Sequence, residues 1–256
     1  MDAYTSFATV YDLFMDNVPY DEWFDWLQRK LAACGVTSGI LLDLACGTGR
    51  FTERFAETGF DMIGVDGSEE MLNIAHENAS AKGLDSILYL CQDMREFELY
   101  GTVAAAVCLC DSLNYLTEPE DLVTVFRLVN NYLDPGAPFL FDFNTEYKYR
   151  EIMGECTIAE NRDEASFIWE NYYDEEEHVN EYDLTFFVRE KDGRFSRFQE
   201  THYQYGYTLE QVKEALSAAG MEFVAAWDGY SDEPAKECSE RIVVLAKERG
   251  KALSRE

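Results

Sequence analysis

The sequence predicts an α/β chain: an open, doubly wound parallel sheet of seven strands, interrupted after the fifth by an inserted antiparallel β-ribbon. Three observations predict it. Ile40 to Leu44 is a short apolar run that enters a glycine turn at Gly47 and Gly49 and then a helical pattern. Short strand-like runs alternate with helical patterns along most of the chain, the rhythm of βαβ units. Between residues 154 and 207 that rhythm gives way to period-two alternation rich in aromatics, which reads as a ribbon or lid.

In order, Tyr4, Phe7, Tyr11, Asp12 and Phe14 form an aromatic N-terminal segment, and Tyr20 to Ala33 reads as an amphipathic helix. The first strand brings Asp43 into the glycine turn. A second, Phe60 to Val65, ends in Asp66-Gly67-Ser68, with Ser68 capping a helix to about Lys82 and Glu69 and Glu70 in its first turn. Ile87 to Cys91 is followed by Gln92-Asp93-Met94-Arg95, and Val103 to Cys110 by Asp111-Ser112-Leu113-Asn114-Tyr115-Leu116. Glu118 to Leu133 carries Leu122, Val125, Phe126 and Val129 on one helical face; Asp134-Pro135-Gly136 stops it before a fifth strand, Pro138 to Phe143. Thr208 and Gln211 form a capping box, the helix ends at Gly220, and Met221 to Asp228 and Arg241 to Lys247 supply the last two strands.

In the ribbon, Phe167, Trp169, Asn171 and Tyr173 alternate with Ile168, Glu170 and Tyr172. Tyr182, Leu184, Phe186 and Val188 make a second face, Asp192-Gly193 signals a hairpin, and Phe195 to Tyr205 completes three strands. The expected partition is therefore an N-terminal helical cap (1–38), a core (39–153 and 208–248) and an insertion (154–207) serving as a substrate lid or a dimer interface.

Ligands of open α/β sheets bind beyond the carboxyl ends of the strands, so Asp43, Asp66, Asp93 and Asp111 converge on one crevice. A dinucleotide turn wants a third small residue where this chain has Thr52, and a pyrophosphate does not want an acid at Asp43. A sulfonium with an α-amino group, as in S-adenosylmethionine (SAM), fits that acid better. Each acid also has a plainer reading as a helix cap or turn residue; their conjunction at successive strand ends favours the ligand.

The string Asp43-Leu44-Ala45-Cys46-Gly47-Thr48-Gly49 resembles the first motif of the class I SAM-dependent methyltransferases, with Ala45 in place of the usual first glycine. That replacement is read as a demand for a small residue rather than for positive φ. The resemblance implies a Rossmann-like sheet with its seventh strand antiparallel. It also implies a SAM site in which Asp43 holds the amino group, Asp66 the ribose and Asp93 the adenine, with the Met94 backbone reading the ring. Ala45, Cys46, Gly47, Gly49, Gly67, Met71, Cys110 and Asp111 complete the expected cofactor set. The spacing of the N-terminal aromatics, Tyr20-x-x-Trp23 and Ser239-Glu240-Arg241-Ile242 is similar to the YqeM-like methyltransferases. In such enzymes the N-terminal aromatic segment closes over the cofactor, which adds Tyr11 and Tyr20 as cofactor contacts and Tyr4 as a substrate contact. Asn114, Tyr115 and Tyr203 are further acceptor-side candidates, and His202 is the general-base candidate among three histidines.

The net charge of −29 argues against nucleic acid and anionic membranes as partners, because binding phosphate requires Lys and Arg. Small neutral or basic acceptors are favoured. Seven scattered cysteines lack metal-ligand spacing, so no metal is expected; Cys46 and Cys110 read as small residues at the cofactor loops. The N-terminus has no secretion-signal layout, which makes the cytoplasm the default, and a homodimer through the ribbon is one arrangement open to it. The expected activity is in-line transfer of a methyl group from SAM, leaving S-adenosylhomocysteine. The alternatives are a SAM or S-adenosylhomocysteine sensor without catalysis and, less well supported, an NAD-dependent oxidoreductase. Asp66→Ala is expected to lose SAM affinity with melting near wild type.

Overall fold

The computed structural model of the protein describes residues 13–16 and 18–251. Helix α1 (Tyr20–Ala33) precedes the units β1 (Ile40–Leu44), α2 (Arg50–Glu57), β2 (Asp61–Asp66), α3 (Glu69–Ala81) and β3 (Leu88–Cys91). Then follow β4 (Ala105–Cys108), a 3₁₀ turn (Ser112–Tyr115), α4 (Pro119–Tyr132), β5 (Pro138–Asn144) and a π-helical turn (Lys148–Met153). Strands β6 (Cys156–Asn161), β7 (Ala165–Asp174), β8 (Val179–Arg189) and β9 (Phe195–Tyr205) lead to α5 (Leu209–Ala218), β10 (Glu222–Asp228) and β11 (Arg241–Lys247).

Seven strands form one sheet in the order β10-β11-β5-β4-β1-β2-β3. Pairing is parallel from β5 through β3, and β11 runs antiparallel to both β5 and β10. The chain winds outward from β1 in both directions, so β1 and β4 flank the switch point, where a crevice opens beyond their carboxyl ends. Both faces of the sheet are covered. Phe139, Phe141 and Phe143 of β5 pack with Val125, Phe126 and Val129 of α4, while Leu140 belongs with Trp26, Leu27 and Leu31 of α1 on the other side. The helix ends follow the local sequence: Ser68 accepts a bond from the Met71 N–H, and Thr208 and Gln211 make a reciprocal capping box.

The second sheet is antiparallel, in the order β6-β7-β8-β9. It has four strands, one more than the sequence predicts. Strand β6 lies at the edge with most of its residues exposed or half-exposed, so it carries no alternating apolar pattern to read. The other three keep the expected alternation. Phe167, Phe186 and Phe198 stand opposite one another, as do Asn171, Tyr182 and His202, on the face turned toward the body of the protein. A five-residue loop containing Asp192 and Gly193 joins β8 to β9, closed by Glu190 N–H to Arg194 O at 2.7 Å. No helix among the described residues is long and apolar enough to cross a membrane.

Candidate active site

The crevice is a cavity of about 660 Å³, open along one side and lined by the loops that follow β1, β2, β3 and β4. Of the residues singled out from the sequence, Tyr20, Asp43, Ala45, Cys46, Gly47, Asp66, Gly67, Met71, Asp93, Met94, Cys110 and Tyr115 line it. Tyr4 and Tyr11 lie outside the described residues.

The glycine turn is built from both ends. Ala45 has φ +59°, Gly47 +53° and Gly49 +80°, so the first position of the motif does adopt the left-handed conformation and the expectation of a merely small residue there is corrected. The chain accepts at Ala45 a backbone strain of about 1–2 kcal/mol that glycine would remove. At Gly47 the same left-handed φ favours glycine, and no protein atom lies within 4 Å of a Cβ built there, so the space beside it is open to the cavity. Gly49 does not line the cavity; it caps α2, and a Cβ on it would stand 2.5 Å from the Tyr89 hydroxyl.

Asp43 is buried at 3% exposure, and Thr52, the residue that fails the dinucleotide pattern, donates its hydroxyl to Asp43 Oδ2 at 2.6 Å. Burial pushes the Asp43 carboxyl up to about 7; the Thr52 bond opposes this and the Asp66 charge adds to it. Asp66 is also raised by burial, against the pull of backbone bonds from Ser68, Gly47 and Gly67. Its Oδ2 accepts the Gly47 N–H and its Oδ1 the Ser68 N–H, both at 2.8 Å. Asp66 therefore ties the β1 turn to the β2 turn, and removing its carboxylate would leave two backbone donors without that partner. Asp93 is held in the opposite direction. Its bonds to the Arg95 side chain, the closest at 2.6 Å, lower its carboxyl, and Arg95 reaches on to Asp121 at 3.2 Å.

Three of the expected contact residues do not line this cavity. Asn114 is fully buried and its amide is spent on the backbone: Nδ2 donates to the Asn144 and Tyr205 carbonyls, each at 2.8 Å, and Oδ1 accepts the Asn144 N–H. It clamps the ribbon to the core. Asp111, at φ +54°, turns from the cavity and pairs with Arg241 at 2.6 Å, while its other oxygen accepts from Gln204 at 3.0 Å. Tyr203, half-exposed, borders a separate groove of about 580 Å³ with Tyr172, Glu181 and Tyr205. His202 is 2% exposed and stands behind the cavity wall; its Nδ1 lies 3.2 Å from the hydroxyl of Tyr115, which does line the cavity.

The sequence reading missed a polar cluster beneath the crevice. Arg241 bridges Asp111 and Asp142, at 2.6 and 2.8 Å; Tyr230 donates to Asp142 at 2.6 Å, and Tyr149 donates to Gln204 at 2.7 Å. Burial opposes the Arg241 charge, and the two carboxylates outweigh it, holding the guanidinium firmly protonated. Trp23 of α1 stacks on Tyr230 with ring centres 4.1 Å apart. This cluster joins α1, the core strands and the ribbon. No local pattern marks it, because Arg241 and Asp111 are 130 positions apart. Arg50, Thr48, Phe51, Cys91, Leu109, Ser112 and Leu116 are further lining residues that the motif reading did not single out.

The site has features that suit SAM. The carboxyls at Asp43 and Asp66 are both desolvated, and the Asp66 charge adds to the rise at Asp43, so a ligand ammonium beside them would favour their charged forms. The Gly47 and Gly67 backbones have no atom within 4 Å of a notional Cβ, which leaves room for a ligand to approach them.

Residues 41–136 match the family model described as a methyltransferase domain. The Bacillus subtilis (strain 168) protein named "Putative methyltransferase YqeM" is 36% identical over 244 residues, spanning 95% of this chain and 96% of that protein. A solved S-adenosylmethionine-dependent methyltransferase from Clostridium acetobutylicum ATCC 824 is 31% identical with a TM-score of 0.87, covering 97% of this chain and all of that one. A dTDP-3-amino-3,4,6-trideoxy-alpha-D-glucopyranose N,N-dimethyltransferase of Streptomyces venezuelae is 25% identical over 184 residues, 71% of this chain and 74% of that protein.

Proposed function

The chain belongs to the SAM-dependent methyltransferases, and from that premise we propose that it methylates a small neutral or basic acceptor bound beside Tyr115 and Leu116. One observation carries this reading. A single cavity of about 660 Å³ runs from the glycine turn to the 3₁₀ turn, within the roughly 300–1,000 Å³ usual for small-molecule sites. The Streptomyces venezuelae relative is named for an amino-sugar substrate, which agrees with a small acceptor. The −29 charge disfavours a phosphate-rich polymer in the same place.

Bound SAM supplies a methyl group on a positively charged sulfur, already activated for displacement. The protein's part is to orient and to exclude water. In this reading Asp43 and Asp66 present negative charge to the amino acid and ribose ends, with Thr52 fixing the Asp43 carboxylate and the Gly47 N–H fixing Asp66. Asp93 and the Met94 backbone take the adenine, while Met71, Cys46 and Cys110 supply small or flexible apolar wall. Asp93 is engaged by Arg95, so adenine binding has to share or displace that pair. Tyr20 closes the near side against Phe51, their rings 5.3 Å apart. The partition into a cap, a core and an inserted subdomain goes with this assignment, the insertion meeting the acceptor end through His202 behind Tyr115.

Calorimetric titration with SAM, S-adenosylhomocysteine and NADH in parallel tests it, followed by a screen of small amines and alcohols for S-adenosylhomocysteine release. Binding of both adenosyl compounds without NADH, and turnover in the screen, are expected. NADH binding alone would overturn the cofactor assignment, and adenosyl binding without turnover of any small acceptor would favour a sensor.

A further inference from the structure

We propose that Tyr115 is the proton acceptor at the acceptor end of the cavity, with His202 and Glu200 behind it as positioning residues. The methyl acceptor then carries an N–H or O–H that must lose its proton. The proposal rests on the reading of this cavity as a SAM-dependent transferase site.

The geometry begins in β9. Glu200 and His202 are two residues apart on a strand, so both side chains point to the same face. That face is the inward one: the Glu200 side chain is 10% exposed and that of His202 1%. His202 Nε2 lies 3.4 Å from Glu200 Oε2, within ion-pair reach but off the line of a hydrogen bond. A carboxylate can only accept, so its field holds the imidazole proton on Nε2 and leaves Nδ1 as the acceptor. The Tyr115 hydroxyl, 3.2 Å from Nδ1, is thereby the donor of that pair. Its ring meets the imidazole edge to face with centres 5.8 Å apart, and the same residue lines the cavity. The hydrogen-bonded network of Asn114 anchors the 3₁₀ turn carrying Tyr115 to β5 and β9, which fixes the phenol against the imidazole.

A phenol whose proton is directed to an imidazole keeps oxygen lone pairs to accept another proton. As the acceptor's lone pair bonds to the methyl carbon, the carbon–sulfur bond breaks and its electrons return to sulfur. The acceptor's proton moves to the Tyr115 oxygen while the phenol's own proton moves to His202 Nδ1. The imidazolium so formed faces Glu200, which stabilises it without taking a proton, as a carboxylate behind a catalytic histidine does.

Nitrogen-15 NMR of the whole protein tests this directly, since the chain has only three histidines. His202, assigned with a His202→Gln variant, is expected as the Nε2–H tautomer, and Tyr115→Phe is expected to shift its Nδ1 resonance. An Nδ1–H tautomer, or an Nδ1 signal indifferent to Tyr115→Phe, would overturn the relay. With a fixed panel of primary amines and alcohols, Tyr115→Phe and His202→Gln are expected to lower kcat at least tenfold while calorimetric SAM affinity stays within threefold. A kcat within threefold of wild type in Tyr115→Phe would also overturn it. Failure of the wild-type protein to bind SAM would instead strike the cofactor reading, and the tautomer result would still decide the relay's polarity.

Discussion

Replacing Asp43 by asparagine should make the protein more stable at alkaline pH and worse at holding its cofactor. The carboxyl sits in the folded state at about 7 against 3.8 for the exposed group, with burial as the leading cause. Between those values the native state keeps a proton that the unfolded chain has released, so stability falls as pH rises through the window and is level above it. A gap of about three pH units at about 1.4 kcal/mol each sets the loss at roughly 4 kcal/mol, an upper bound once relaxation is allowed. Asp43→Asn holds the group neutral at every pH and can keep accepting from the Thr52 hydroxyl, now 2.6 Å from Oδ2. Urea unfolding of wild type and variant from pH 5 to 8.5 should show the variant ahead by no more than roughly 1.5 kcal/mol at the acid end, which lies about one unit inside the window. At the alkaline end the variant should lead by roughly 2–4 kcal/mol. Taking the difference between the two proteins cancels the repulsion that the −29 charge imposes on both. A difference that stays flat with pH, or that favours wild type at pH 8.5, would refute the assignment of a desolvated acid. Calorimetry completes the test: SAM should bind wild type more weakly as pH falls below 7, and the variant weakly throughout.

Three more outcomes follow from the geometry. Ala45→Gly should stabilise the protein by about 0.5–1 kcal/mol, since relief of the left-handed strain exceeds the added unfolded-state entropy; thermal unfolding checks this, and destabilisation would contradict the φ of +59°. Gly49→Ala should cost at least about 2 kcal/mol by urea unfolding, because it combines φ +80° with a Cβ 2.5 Å from the Tyr89 hydroxyl. Arg241→Ala should cost about 3–5 kcal/mol by leaving Asp111 and Asp142 without their shared cation, and stability within 1 kcal/mol of wild type would show the cluster to be dispensable.

Local chemistry made much of this protein legible. The apolar run at Ile40, the caps at Ser68 and Thr208 and the stop at Pro135 each act within a few residues, so the sequence located α1, the β1 turn and β11 almost to the residue. The strand-end acids were visible for the same reason: a βα junction places whatever follows the strand at the crevice. Edge strand β6 escaped because exposure on both faces removes the alternation that marks a strand. Ala45 misled because a residue's identity states its preference for φ and not what the surrounding turn demands.

The roles of individual polar side chains were decided elsewhere. Asp111 and Asn114 look like ligand contacts in a loop after a strand, yet Arg241, Gln204 and the Asn144 and Tyr205 backbones claim them. Those partners lie 30 to 130 positions away, brought near only when the ribbon folds over the carboxyl edge of the sheet. The sequence by itself determined the fold class, the glycine turn and the ring of acids, because each depends on short-range propensity and on the handedness of βαβ units. Which of those groups faces the cavity, which is buried in a salt bridge, and which tyrosine fronts His202 was decided only by the tertiary structure. Hydrogen bonds and ion pairs are claimed by whichever partner packing brings within about 3 Å, and that is set by the whole chain at once.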